Sequence, residues 1–344
     1  MKAARFYKAG EPLKIEEVPI PQIGSNDVLL KVRANGICGS DIHILEGVTP
    51  TGSIPQILGH EFAGEIVEVG SEVKNWQIGD RVCVDSIVSC DSCYNCLRGR
   101  ESICVTRKLL GIHLDGGMAE YARVPARNLI RLPENVPFDQ GAIVTDAVAT
   151  PFHALFKRGH LQLGDTVAVF GIGGLGIHAV QLAKIGGAAQ LIAVDVFEEN
   201  LERAVKVGAD YVVKADEVDP VKAIKDLTGG RGVDIALECI GKKSTIEQSL
   251  RSICVGGKAV VVGLGPDAIE TQPPTVYVRN EYELIGSYSF ERGEINKLVN
   301  MIASGRLDLS LSITERLPLE ETNTALEHLQ NKIGNPIRIV IVQD

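Results

Sequence analysis

The sequence has no excess of basic charge: 35 Lys and Arg face 44 Asp and Glu, for a net charge of −9. A nucleic-acid partner needs a basic face to neutralise phosphates, so no such partner is expected. The opening residues, MKAARFYKAGEP, contain no apolar h-region, which argues against secretion and gives the expectation of a cytoplasmic protein. No internal repeat or low-complexity tract interrupts the chain. Nor is there a convincing membrane span. The eighteen residues between Asp165 and Lys184 lack Asp, Glu, Lys and Arg, close to the minimum for a bilayer helix. But Gly171, Gly173, Gly174 and Gly176 sit in their middle, and each would cost a helix about 0.8–1 kcal/mol relative to Ala. Strand, glycine turn and helix is the better reading of that stretch.

What is present is a globular composition, 45% apolar and 23% charged, over 344 residues, a length that suggests two domains. Glycine is abundant, with 36 residues against an average of roughly 7%, which points to tight turns and close backbone approach. The eight cysteines are uneven: Cys90, Cys93, Cys96 and Cys104 crowd together, while Cys38, Cys83, Cys239 and Cys254 are scattered. A chain that is neither small nor visibly secreted is a poor candidate for a disulfide framework, and crowded cysteines then indicate metal.

The first 145 or so residues carry short alternating runs (28–36, 61–70, 80–85) bounded by glycine or turn signals, and predict a compact antiparallel β-domain. From about Gly164 the texture becomes strand–helix repetition. Strands are expected at 166–171, 191–195, 210–214, 233–239, 258–263 and 282–287, with helices between them, the second closed by Gly208. Such alternation implies a parallel sheet with right-handed crossovers. After it come helices at 294–304 and 319–330, a strand-like SITERLP and a final alternating PIRIVIV, which are expected to return to the first domain.

Gly171-Ile172-Gly173-Gly174-Leu175-Gly176 follows an expected strand and opens an expected helix, and Asp195 ends the next strand nineteen residues after Gly176. In that context the glycines let backbone N–H groups approach a pyrophosphate, and Asp195 would accept from ribose hydroxyls and repel a 2′-phosphate, favouring NAD over NADP. Asp195 capping the following turn is the plainer alternative. Cys90-x2-Cys93-x2-Cys96-x7-Cys104 can wrap one tetrahedral Zn²⁺ with no open coordination position, and so would hold structure; an iron–sulfur cluster stays open on spacing alone. Arg98, Arg100, Arg107 and Lys108 beside it read as a solvated basic patch. Cys38-Gly-Ser40-Asp41-Ile-His43 and Gly59-His60-Glu61 form a looser second set that leaves at least one ligand unspecified.

The run Gly59-His60-Glu61-x2-Gly64-x5-Gly70-x2-Val73 resembles the signature of zinc-containing alcohol dehydrogenases in the medium-chain dehydrogenase/reductase superfamily. The four-cysteine lobe, the glycine loop and the chain order agree over essentially the whole length. The resemblance implies a GroES-like β-barrel catalytic domain (1–150 and 287–344, with a structural-zinc lobe at about 86–108) and a doubly wound Rossmann NAD-binding domain (151–286). It implies two Zn²⁺ per chain, NAD(H), an alcohol or carbonyl substrate, and a homodimer or homotetramer. Cys38 and His60 resemble catalytic zinc ligands. Asp146, in Thr145-Asp146-Ala-Val-Ala-Thr150, takes the place of the third ligand, with Glu61 as its rival and as a carboxylate that can enter the coordination sphere. Asp41 resembles an acceptor for the His60 ring N–H, and Ser40 and His43 a proton relay. Thr150 is expected in the nicotinamide pocket and Arg338 near the cofactor phosphates. Two other readings stand beside this one: a zinc-free quinone or enone reductase, and a non-enzymatic nucleotide-binding protein with structural zincs.

Overall fold

The alternating runs near the start form the strands Asp27–Ile37, Glu61–Val69 and Arg81–Val84. Their alternate residues converge in one core: Val28, Leu30 and Val32 pack with Phe62, Ile66, Val82 and Val84. This is the period-two pattern expected of half-buried strands. The strand order is Leu129–Arg131, Arg81–Val84, Glu61–Val69, Asp27–Ile37, Arg338–Val342, Ile313–Leu317, with Tyr121–Pro125 also paired to Asp27–Ile37. The final strand therefore lies antiparallel to the third strand of the chain, with Ile339 opposite Ile37. Ile339 and Ile341 join Ile37, Leu58 and Met118 in a second apolar cluster.

The computed structural model describes residues 1–344, which separate into Met1–Ala149 with Glu291–Asp344, and Thr150–Phe290. The second unit is built on six parallel strands in the order Tyr211–Lys214, Gln190–Asp195, Thr166–Phe170, Val233–Glu238, Ile253–Val261, Glu283–Gly286. The strand order reverses between Thr166–Phe170 and Val233–Glu238, and the carboxyl ends of strands at such a switch point are where open α/β sheets bind ligands. The central strand Thr166–Phe170 is buried along its whole length, as its β-branched sequence requires. Helix Pro220–Leu227 begins where Asp219 accepts from the N–H groups of Val221 and Lys222, with proline at its first position.

Three elements carry no clear sequence signal. Gly39–Leu45 and Pro274–Asn280 are short helices. The segment from Phe138 to Arg158 is helical almost throughout, with π-helical turns at Val144–Val148 and His153–Arg158 flanking Ala149–Phe152. Pro151 within it has no N–H for an i−4 carbonyl, and wider turns on either side are a common accommodation. Asp146 thus sits on a π-helical turn rather than in a loop. The expected helix at 319–330 divides into a 3₁₀ turn, Leu319–Glu321, and an α-helix, Thr322–Asn331. No helix is long and apolar enough to cross a membrane.

Candidate functional site

The short antiparallel strands Ile87–Val88 and Lys108–Leu109 close the base of a lobe that carries the four crowded cysteines. Their sulfurs lie 3.5 Å (Cys93–Cys96), 3.5 Å (Cys104–Cys90) and 4.0 Å (Cys90–Cys96) apart. A tetrahedral ion with metal–sulfur bonds of about 2.3 Å needs sulfur–sulfur edges of roughly 3.8 Å. The lobe fits one such ion, and sulfurs this close leave no room among them for a cluster with bridging sulfides. The backbone N–H of Cys90 points at Cys104 Sγ (3.4 Å) and that of Cys93 at Cys90 Sγ (3.3 Å). Hydrogen bonds from Ser92 and Thr106 hold the Cys90 thiol down at about 5. Burial, with the neighbouring thiols, pushes Cys96 up to about 12. A cluster that mixes thiolate with thiol suits a divalent cation that displaces the remaining protons.

The lobe is also tied to the chain's later part. Glu291 accepts from the N–H groups of Glu101 (2.9 Å) and Ser102 (3.3 Å) and from the Ser102 hydroxyl (2.6 Å). Arg292 pairs with the buried Asp85 at 3.0 Å. Because binding at an all-thiolate site is coupled to folding, Cys104→Ala is expected to lose one metal per chain and lower the melting temperature by at least about 5 °C. Metal analysis and calorimetry read this; full metal content with unchanged melting would sink the structural assignment.

The second set converges as well. The ligand atoms of Cys38, His60, Glu61 and Asp146 all lie within 4.8 Å of one another. Cys38 caps the helix Gly39–Leu45, His60 and Glu61 lie at the start of Glu61–Val69, and Asp146 comes from the π-helical turn. Cys38 Sγ is 3.6 Å from Asp146 Oδ2, and His60 Nε2 is 3.5 Å from the same oxygen. With bonds of about 2.3, 2.05 and 2.1 Å to sulfur, nitrogen and oxygen, a tetrahedral ion would set these edges at roughly 3.6 and 3.4 Å. Burial works against charge on His60, yet Asp41, Asp146 and Cys38 raise its pKa well above the usual histidine value. Burial opposes ionisation of Cys38, but the His60 hydrogen bond and Arg338 bring it below the ordinary thiol. Three carboxylates and a thiol meet here around one guanidinium, an excess of anionic groups that a divalent cation balances.

Asp41 is fully buried; its Oδ2 accepts from the Cys38 N–H (2.9 Å) and its Oδ1 lies 3.5 Å from His60 Nδ1. The carboxylate thus faces the ring nitrogen at ion-pair distance rather than in a tight hydrogen bond. Ser40 Oγ lies 3.2 Å from His60 Nε2. His43 follows one helical turn after Ser40 and is half-buried. Arg338, expected near the cofactor phosphates, has its guanidinium enclosed beside this donor set, with Nη2 3.2 Å from Glu61 Oε1 and Nη1 donating to the Ile37 carbonyl at 3.2 Å. The reason for the enclosure is electrostatic: Glu61 is fully buried at the start of Glu61–Val69, one strand beyond Asp27–Ile37, and two buried opposite charges stabilise each other far better than either alone.

In the second unit the glycine loop joins Thr166–Phe170 to helix Gly176–Ile185. Gly171 has φ +86°, a left-handed conformation that favours glycine, and a Cβ on Gly176 would lie 1.8 Å from the Gly171 carbonyl oxygen. Nothing lies within 4 Å of a Cβ built on Gly173, so backbone there is open to a ligand. Leu175 precedes the helix N-terminus. Asp195 is buried at the end of its strand; Oδ2 accepts from the Ile172 N–H (2.6 Å), and Oδ1 from those of Val196 (2.8 Å) and Phe197 (2.9 Å). It therefore does cap the turn, and it also ties the second strand to the glycine loop. Of roughly four acceptor positions on a carboxylate, three are used, which leaves capacity on Oδ2 for a hydroxyl. Thr150 is buried in the short helix Ala149–Phe152. Among the buried acids not singled out from the sequence, Asp85, Glu238 and Glu294, Glu238 ends the apolar strand Val233–Glu238 three residues before Gly241.

Comparison with known proteins gives a consistent result. Residues 24–134 match the family described as Alcohol dehydrogenase GroES-like domain, and residues 174–304 match Zinc-binding dehydrogenase. The chain is 35% identical to NAD-dependent alcohol dehydrogenase of Sulfurisphaera tokodaii, covering 96% of this chain and 97% of that enzyme. It is 35% identical to sorbitol dehydrogenase of Bacillus subtilis, over 95% and 93% of the two chains. The crystal structure of a zinc-binding dehydrogenase from Sinorhizobium meliloti bound to NADP superposes with a TM-score of 0.93 at 32% identity, over 99% of each chain.

Proposed function

The chain belongs to the zinc-type alcohol dehydrogenase family of the medium-chain dehydrogenases, and from that premise we propose that it interconverts a primary or secondary alcohol or polyol with the matching aldehyde or ketone, using NAD(H). The observation that carries this reading is the Cys38–His60–Asp146 triangle, whose edges of 3.5 and 3.6 Å suit one tetrahedral ion.

Cys38, His60 and Asp146 would hold a catalytic Zn²⁺, Cys90, Cys93, Cys96 and Cys104 a structural one, and the 171–176 loop with Asp195 the cofactor. When bound, the catalytic ion supplies Lewis acidity toward a substrate oxygen and the nicotinamide exchanges hydride with the substrate carbon. The residues do the rest. Three protein donors leave one position open for substrate. Asp41 beside His60 Nδ1 fixes the ring's tautomer and orientation, so Nε2 faces the cluster. Ser40 Oγ, 3.2 Å from that nitrogen, is placed to take the substrate hydroxyl's proton, and His43 on the same helix face to pass it toward solvent. Glu61 is held back by Arg338, which favours Asp146 as the resting ligand and leaves Glu61 for ligand exchange.

A zinc-free quinone or enone reductase is not favoured, because it has no use for either converged donor set. The test is metal analysis with a screen of NAD reduction across primary, secondary and polyhydric alcohols. Two zincs per chain and turnover on one of these classes are expected; zinc-loaded protein inert toward all of them would sink the reading.

Asp195 is proposed to set cofactor choice, since a 2′-phosphate would meet it as an unpaired like charge. Asp195→Gly is expected to weaken NAD binding about tenfold, the loss of one charge-assisted hydrogen bond, and to narrow the gap to NADP. Kinetics with both cofactors check this, and a wild-type preference for NADP would count against it.

A further inference from the structure

Glu238 is fully buried at the carboxyl end of Val233–Glu238, the strand beside the switch point of the parallel sheet. Its carboxylate is satisfied by hydrogen-bond donors, none of them a basic side chain. Oε1 accepts from the Ile240 N–H (3.0 Å), the Gly241 N–H (2.9 Å) and the Thr245 hydroxyl (2.7 Å), and Oε2 from the Gly241 N–H (3.1 Å). Thr245 stands in the first turn of helix Lys243–Ser252, so the carboxylate ties strand end, loop and helix together.

The loop it holds touches the glycine loop directly. A Cβ on Gly171 would lie 2.4 Å from Ile240 Cγ1, so the Ile240 side chain fills the space above the first glycine of the fingerprint. On its other side the loop meets residues 263–265 backbone to backbone. Gly241 has φ +85°, and a Cβ there would fall 2.4 Å from the Leu264 carbonyl oxygen. One on Gly265 would fall 1.9 Å from the Gly241 carbonyl oxygen. Cys239 N–H donates to the Phe170 carbonyl at 2.9 Å, which joins the two strand ends. Three loops at the carboxyl ends of neighbouring strands are thus in register through one buried acid.

We propose that Glu238 is a positioning residue for the dinucleotide: by holding the N–H groups of Ile240 and Gly241 it fixes the wall against which the 171–176 loop presents its own N–H groups to the cofactor. This rests on the reading of that loop as the NAD(H) site. Apolar core residues of the same strand stabilise the sheet without reaching the loop; Glu238 acts on the loop itself. Its replacement is therefore predicted to change cofactor binding more than folding.

The test uses full-length, zinc-loaded protein. NADH binding is followed by its fluorescence, alongside NAD KM, kcat at saturating NAD, melting temperature and metal content. Glu238→Gln keeps the shape but turns an NH₂ toward one of the N–H donors, and is expected to weaken NADH and raise NAD KM about tenfold, the factor for one such bond. Two zincs, kcat within about twofold and melting close to wild type should remain, because the bonds lost lie at a loop and not in the core. Thr245→Val, which removes one donor and leaves the acid in place, should give a smaller shift in the same direction and serves if Glu238→Gln fails to fold. Unchanged NADH affinity in the folded variants overturns the proposal. So does an affinity loss that only tracks lowered melting and lost metal. Failure of the wild-type protein to bind NADH overturns the underlying reading of the loop, and is thereby told apart from failure of Glu238 alone.

Discussion

Asp146→Ala is expected to release one of two metals and to reduce turnover by at least about a thousandfold, since the Lewis acid contributes several kcal/mol to the transition state and each 1.36 kcal/mol is tenfold. The four-thiolate metal and NADH binding should persist. The argument is geometric and electrostatic. Asp146 Oδ2 completes a triangle with Cys38 Sγ and His60 Nε2 at edges of 3.6 and 3.5 Å. An aspartate carries the same formal charge as a thiolate, so Asp146→Cys preserves the site's total charge and should retain both metals. Glu61 is the competing ligand, but its Oε1 lies 3.2 Å from the Arg338 guanidinium, and moving to the metal weakens that pair. Metal content by elemental analysis, NADH titration and alcohol-dependent NAD reduction read the three consequences separately. Asp146→Ala protein that keeps two metals and wild-type turnover would give the ligand role to Glu61.

The parts of this site that could be read from the chain are those whose geometry is local. Cys90, Cys93, Cys96 and Cys104 lie on one loop, so spacing alone foretells their convergence. The fingerprint 171–176 is likewise legible, because strand, turn and helix follow one another and each has its own pattern. The alternation of the parallel sheet is readable for the same reason, down to the short edge strand Glu283–Gly286. What escaped is tertiary. Arg338 reads as one basic residue in the alternating strand Arg338–Val342, and nothing nearby in sequence announces that Glu61 is its neighbour. Asp146 was legible by resemblance, whereas its π-helical turn was not, since Val144, Thr145 and Val148 favour strands and Pro151 argues against a helix. Glu238 lies within the expected strand 233–239, where nothing in the sequence sets it apart; only the fold shows the donors around it.

Arg338→Met is expected to destabilise the protein by about 3–5 kcal/mol, the cost of leaving one member of a buried pair uncompensated. Side-chain exposure is 4% for Arg338 and 0% for Glu61, so solvent does little to screen the charge left behind. The Ile37 carbonyl also loses its guanidinium donor. Burial already raises the Glu61 pKa well above the usual carboxylate range while Arg338 works to lower it, so removing the guanidinium leaves the acid with burial as its dominant influence. The double variant Glu61→Gln/Arg338→Met removes both charges and should regain more than half of the loss, because no unpaired ion is then buried. Urea unfolding of zinc-loaded protein, compared at constant m, measures the cycle. Additive losses in the double variant would show that the two side chains act independently and that their 3.2 Å approach contributes little. A recovery would show that the two charges are coupled: with Cys38, Asp146, Asp41 and Glu61 converging, the guanidinium supplies the fixed positive charge that offsets the buried Glu61 carboxylate.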